Sequence, residues 1–212
     1  MLIFDLFSGT GSATQAFKDA GHTVITFEID SKFNAIEITD VMALDAKTLL
    51  SKYGRPHFIW ASPPCTAFSV AAISRNWISG GEKPIARRQG SVLAMRLVER
   101  ARDLIIELNP YFGYLIENPR GMLRKLEILQ NLKLNTVTYC QYGDSRMKPT
   151  DLWGDVPGWS PRNMCKPGSE CHISAPRGSN TGTQGLPNAT ERARIPYELG
   201  QELLMTLEKL DR

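Results

Sequence analysis

The sequence contains no uninterrupted run of about 18 apolar residues, so no helix is expected to cross a bilayer. It also lacks a basic leader. Met1-Leu2-Ile3-Phe4 meets Asp5 at once, which reads as the opening of a strand rather than a signal peptide. Cysteine is sparse. The four, at positions 65, 140, 165 and 171, form no even framework in a chain of 212 residues that has room for a full core. They therefore read as reduced thiols, and the protein as cytoplasmic. No internal repeat is present, and a second full domain would not fit.

Composition is that of a globular domain, with 42% hydrophobic and 22% charged residues. Net charge is only +3, but between Arg75 and Arg102 seven cations stand against two acids. A polyanion approaching that segment is favoured, unless the arginines only solvate a helix face. Leu2 to Leu6 reads as a buried strand, Ser8 to Gly11 as a tight turn, and Ser12 to Ala20 as a helix closed by Gly21. Further strands are expected at 24–27, 35–38, 57–61, 114–116 and 136–139, and helices at 45–52, 91–108, 122–132 and 195–210. Ser62-Pro63-Pro64 stops the fourth strand, because neither proline can donate to a ladder. From Cys65 to about Gly90 no period is sustained, which reads as a long functional loop. The alternation of strand and helix implies an α/β fold, with a mainly parallel sheet and helices on both faces. Residues 1–150 form the main body on this reading, 151–189 a small irregular appendage, and 190–212 a closing helix that packs back on the body.

In open α/β sheets ligands collect at the carboxyl ends of the strands. Gly9 and Gly11, after the first strand, let a ligand approach the backbone and leave helix N–H groups free. The dinucleotide fingerprint is incomplete, since Thr14 stands where its third glycine belongs, so a pyrophosphate turn is poorly supported. Glu28 ends the second strand, where it can accept bonds from ribose hydroxyls, and Asp40 ends the third. Either acid alone reads as a solvated carboxylate. Together with the glycine turn they describe a nucleoside pocket that demands no phosphate, which fits S-adenosylmethionine better than NAD. The fourth strand delivers Cys65 on a stiff Pro-Pro platform, suited to a nucleophile, although free cysteine is more often a small buried hydrophobe. The fifth delivers Glu117, an acid with little structural reason to close an apolar strand.

These residues carry a resemblance to the cytosine-5 DNA methyltransferase family. Asp5-Leu6-Phe7-Ser8-Gly9-Thr10-Gly11 resembles its cofactor-binding first motif, Phe27-Glu28-Ile29-Asp30 the second and Thr39-Asp40-Val41 the third. Pro64-Cys65-Thr66-Ala67-Phe68-Ser69 is similar to the catalytic fourth motif, and Glu117-Asn118-Pro119 to the sixth. The resemblance implies a Rossmann-like S-adenosylmethionine-dependent fold. It makes Asp5, Phe7, Ser8, Gly9, Thr10, Gly11, Glu28, Ile29, Asp40 and Pro63 cofactor residues, and Cys65, Glu117 and Asn118 catalytic ones. The implied reaction adds the Cys65 thiolate to carbon 6 of a flipped cytosine while Glu117 stabilises the ring at N3. Amino-methylating relatives of this fold place an aromatic where Cys65 stands, which points to carbon as the acceptor.

The family's eighth motif has a glutamine and two arginines after a Tyr-Gly pair. Here Gln141-Tyr142-Gly143 precedes Asp144-Ser145-Arg146-Met147-Lys148, and Arg146 or Lys148 is expected to hold the cytosine carbonyl. Ser69, Arg75, Arg87, Arg88, Thr183 and Gln184 are the candidate nucleic-acid contacts. The 151–189 segment is short for a target-recognition region, so the site read is expected to span about two to four base pairs of double-stranded DNA. Cys165, Cys171 and His172 lie close together, but zinc needs a fourth ligand, so no metal is expected unless Cys140 or an acid folds over. A monomer in a bacterial or phage-infected host is expected, with restriction protection or phage genome modification as its role. The alternatives are a tRNA cytosine-5 methyltransferase and a catalytically silent nucleic-acid or cofactor-binding module.

Overall fold

The computed structural model describes residues 1–78, 83–173, 186 and 188–212. In chain order its elements are β1 (Leu2–Leu6), α1 (Gln15–Asp19), β2 (Thr23–Glu28), β3 (Glu37–Ile38), α2 (Ala46–Tyr53) and β4 (Phe58–Ala61). Then come α3 (Ile73–Asn76), the short antiparallel pair β5 (Trp77–Ile78) and β6 (Ile85–Ala86), and α4 (Gln89–Leu108). The chain continues through β7 (Tyr114–Pro119), β8 (Leu134–Thr138), β9 (Pro149–Asp155), α5 (Ala189–Ala193) and α6 (Tyr197–Leu210).

Seven strands form one sheet in the order β3-β2-β1-β4-β7-β9-β8. The strands from β3 to β7 in that order pair in parallel, and β9 runs antiparallel to both its neighbours. Successive side chains of a strand point to opposite faces, so a strand buried on both faces is mostly apolar, with Asp5 the exception in β1. That is why Ile3, Phe4 and Leu6 are all fully buried. Phe4, Leu6, Ile59 and Ile116 pack with Leu49 of α2 and Val98, Leu104, Ile105 and Leu108 of α4. On the opposite face Ile3, Phe58, Trp60 and Leu115 pack with Phe17 of α1 and Leu199, Leu203 and Leu207 of α6. The expected α/β fold, a mainly parallel sheet with helices on both faces, is the one observed. No helix among the described residues is long and apolar enough to cross a membrane.

Three local expectations are corrected. The helix expected at 122–132 is a pair of 3-10 turns, Met122–Lys125 and Glu127–Leu129, separated by Leu126 in an extended conformation. Leu123, Leu126 and Leu129 are buried, and their spacing of three suits the tighter turn. The appendage expected from Asp151 begins instead with residues of β9, which pairs along both edges. The polar look of β9 has a cause: Asp151 is fully buried and accepts hydrogen bonds from Arg124 Nε (2.8 Å) and Thr136 Oγ1 (2.9 Å). Finally, the described part of the stretch after Cys65 carries short regular elements. A 3-10 turn, α3, the β5/β6 pair and the start of α4 occupy its described part.

Candidate active site

The carboxyl ends of β1, β4 and β7 converge on a cavity of about 150 Å³. β1 ends in a turn whose backbone is unusual: Phe7 has φ 58°, a strained value for a bulky side chain, and Gly9 and Gly11 have φ 47° and 70°. This turn lays Ser8, Gly9 and Thr10 along the cavity wall. Asp5, one of the last β1 residues, is buried at its base. Its Oδ2 accepts from Thr14 Oγ1 at 2.6 Å, while its Oδ1 has no hydrogen-bond partner among the described residues. Burial pushes its carboxyl from an ordinary 3.8 up to about 7.

Cys65 follows the Pro63-Pro64 platform at the end of β4 and lines the same cavity with Glu117 and Lys148. The thiol is held above its ordinary range, first by burial and then by the Glu117 carboxylate, while Lys148 pulls it down. Burial likewise raises Glu117, against the charge of Lys148 and hydrogen bonds from Ser62 and Tyr139. The Tyr139 hydroxyl donates to Glu117 Oε1 at 3.2 Å, and Ser62 Oγ itself accepts from Trp60 Nε1 at 2.7 Å. Lys148 is lowered by burial, with Glu117 and Cys65 acting the other way. Its Nζ donates to the Arg192 carbonyl at 3.0 Å and sits 4.6 Å from the Tyr139 ring centroid. The result is a desolvated thiol, carboxyl and amino group in one cavity. Asn118 has a different place: its Nδ2 donates to the Pro63 carbonyl at 2.9 Å, tying β7 to the platform that carries Cys65.

A second cavity of about 260 Å³ adjoins the first, and Phe7, Ser62 and Pro64 line both. Glu28, Ile29 and Asp40 line it. Glu28 is not a bare carboxylate: Oε2 accepts from Gly9 N at 2.9 Å, and Oε1 from Ile29 N and Asp30 N at 2.9 and 3.2 Å. Asp40 caps a short 3-10 turn, accepting from Met42 N at 2.9 Å. The pair of cavities suits S-adenosylmethionine. The orphaned Asp5 oxygen is an acceptor for an ammonium group, and the space around Gly9 is open.

Arg146, expected beside Lys148 as a catalytic cation, lies outside both cavities. Asp144, two residues away, captures its guanidinium, with Nε at 2.8 Å from Oδ1, and the carbonyls of Glu191 and Arg192 accept from Nη1. It therefore binds the end of α5 to the turn after β8. Ser69 bridges to Gly121. Arg75, Arg87 and Arg88 are exposed, and Arg87 Nη1 donates to the Ser74 carbonyl at 2.8 Å. Thr183 and Gln184 lie outside the described residues. Cys165, Cys171 and His172 line neither cavity. Sequence reading missed Ser62, Tyr139, Ala193 and Ile195 as members of the site. Ser62 stood beside the singled-out prolines, whereas the others carry no signal, being ordinary helix and core residues until the chain folds. A larger open groove of about 880 Å³, between α6 and residues 142–146, contains neither Cys65 nor Glu117.

Comparison with known proteins agrees with this geometry. Residues 1–126 match the model of a family described as C-5 cytosine-specific DNA methylase. A protein of Frog virus 3 (isolate Goorha), named a probable DNA (cytosine-5)-methyltransferase, is 31% identical over 218 residues, covering 96% of this chain and 99% of that one. Among solved structures, the Entamoeba histolytica methyltransferase EhMeth superposes with a TM-score of 0.52 at 15% identity, covering 73% of this chain. The match takes in 52% of that larger chain, and the likeness is one of fold.

Proposed function

The chain belongs to the C-5 cytosine-specific DNA methylase family, and from that membership we propose how its two cavities carry out the reaction. It is a DNA (cytosine-5)-methyltransferase whose methyl donor is S-adenosylmethionine. The observation that carries the reading is the enclosure of Cys65, Glu117 and Lys148 beside the β1 turn and Asp5.

Glu28 and Asp40 hold the nucleoside end of the donor in the larger cavity, and the 7–11 turn and Asp5 hold its amino-acid end in the smaller one. When bound, the donor supplies an electrophilic methyl group. Ring carbon 5 of cytosine is a poor nucleophile, so the chain's work is to make it electron-rich. The Cys65 thiolate forms a bond to carbon 6. Glu117, whose carboxyl burial raises above its ordinary range, shares a proton with N3 and takes up the electron density that builds there. Lys148 is the cation that offsets the thiolate and sits within reach of the base carbonyl. After carbon 5 has taken the methyl group, its hydrogen leaves as a proton. That electron pair restores the ring double bond as the carbon–sulfur bond breaks and the thiolate returns. Asn118 positions Cys65 through Pro63. A duplex must present the base flipped out of its stack, and the exposed Arg75, Arg87 and Arg88 supply phosphate contacts around it. The 151–189 segment, apart from its strand residues, is the reduced target-reading element, with Thr183 and Gln184 as base contacts. A monomer is the expected state, and the free thiols suit the cytoplasm.

Cys65→Ser tests the assignment. Methyl transfer to duplex DNA, followed with radiolabelled donor, is expected to fall by at least about a thousandfold while donor binding is kept. Turnover within tenfold of the parent would remove Cys65 from the mechanism. Transfer to tRNA and not to duplex DNA would change the substrate.

A further inference from the structure

We propose that Cys140, Cys165, Cys171 and His172 bind one zinc ion, in a closed structural site that fastens the segment after β9 to the end of β8. The four donor atoms come from two distant stretches of chain, yet all lie within 4.8 Å of one another. Cys165 Sγ is 3.2 Å from Cys171 Sγ and 3.4 Å from His172 Nδ1, and Cys171 Sγ is 3.8 Å from His172 Nδ1. Zinc–sulfur and zinc–nitrogen bond lengths in a tetrahedron place sulfurs about 3.8 Å apart and sulfur and nitrogen about 3.5 Å apart. The two sulfur–nitrogen spacings are close to those of such a shell, and the 3.2 Å sulfur pair is tighter than it, so an ion entering the cluster would spread the two thiols. Three thiols and one imidazole also form a standard structural zinc set, with no position left open for a substrate.

A second observation points the same way. Of residues 160–173, Cys165 alone is buried, and none is in a helix or strand. Arg162 anchors the beginning of this stretch through Glu198 and Glu202. Beyond it the described residues as far as Ile173 have no core of their own, and such segments are commonly held by a metal. The surroundings favour a fixed shell: Cys165 N donates to Thr138 Oγ1 at 2.9 Å, and Gln141 Nε2 lies 3.4 Å from Cys171 Sγ. Cys140 adjoins Tyr139, whose hydroxyl reaches Glu117, so the metal would join the appended segment to the wall of the active site.

Full-length untagged protein purified without chelator is the material for the test, with zinc measured by mass spectrometry after denaturation. About one zinc per chain is expected, and its removal by chelator should lower the thermal midpoint. Cys171→Ser changes an exposed ligand and should leave the core intact. It and His172→Ala should bind zinc at least about tenfold more weakly in competition with a chromophoric chelator, whereas Cys65→Ser should bind it as the parent does. Cobalt added to the stripped protein should give the visible bands of a tetrahedral thiolate site, weakened in Cys171→Ser. Metal-free protein that takes up neither ion, unchanged zinc affinity in Cys171→Ser, or a Cys165–Cys171 disulfide in place of the metal would each overturn the proposal.

Discussion

Asp5 carries a carboxylate oxygen that finds no hydrogen-bond partner among the described residues, and the consequence can be measured. Burial raises its carboxyl from 3.8 to about 7, so the folded state holds the proton more tightly than the unfolded chain. The stability this represents is present below the unfolded value and is lost as pH rises to about 7. A fixed charge there is useful only if a cation arrives. Asp5→Asn is therefore expected to stabilise the ligand-free protein at pH 8 by on the order of 2–4 kcal/mol in urea denaturation, with little effect near pH 4. The parent's affinity for S-adenosylmethionine should rise with pH through 7, while that of Asp5→Asn should be weaker and flat. Equal affinities by calorimetry would show that Asp5 does not meet the donor's ammonium group. Cys65 alone was weakly legible, because a free cysteine is more often a small buried hydrophobe; it was singled out by its Pro-Pro platform together with the acid closing a later apolar strand and the order of the motifs around both. The choice between Arg146 and Lys148 was not legible. It rests on Asp144 lying near enough to capture one cation, which spacing alone does not reveal.

Among the elements, β9 and the 3-10 pair before β8 explain each other. Arg124 leaves the first 3-10 turn to reach Asp151, in the middle of β9, and also donates to Thr136 of β8 at 2.9 Å. A regular helix over 122–132 would give up this arrangement. Hydrophobic spacing of three, read over so short a run, suits either helix type, so the sequence favoured the commoner one. β9 was missed because its buried acid and Gly154 look like loop residues. Gly154 is there because a Cβ would meet the Tyr114 carbonyl at 2.3 Å. Arg124→Ala leaves a fully buried carboxylate with Thr136 as its remaining side-chain partner. A loss of about 3 kcal/mol is expected from urea midpoints. A loss under about 0.5 kcal/mol would mean that the exposed side of Arg124 lets water replace it.

For the molecule as a whole, the parallel sheet does the assembling. Strands that point the same way deliver their terminal residues to one edge, so Asp5, Cys65 and Glu117 meet although long stretches of chain separate them. This much was readable beforehand, since the alternation of strand and helix dictates it. The contribution of the last third was not. A closing helix packing back on the body was expected over 190–212, but nothing local showed that this packing would set Ala193 and Ile195 in the cavity wall. The central claim is that this edge forms a covalent bond to cytosine, and fluorine at carbon 5 tests it most directly. Release of the enzyme requires loss of the carbon 5 proton, and fluorine cannot leave in that way. Duplex DNA carrying 5-fluorocytosine at the methylated position, incubated with protein and S-adenosylmethionine, should yield an adduct at Cys65 that survives denaturing electrophoresis and is absent from Cys65→Ser. Protein that methylates the unfluorinated duplex yet forms no such adduct would contradict the account.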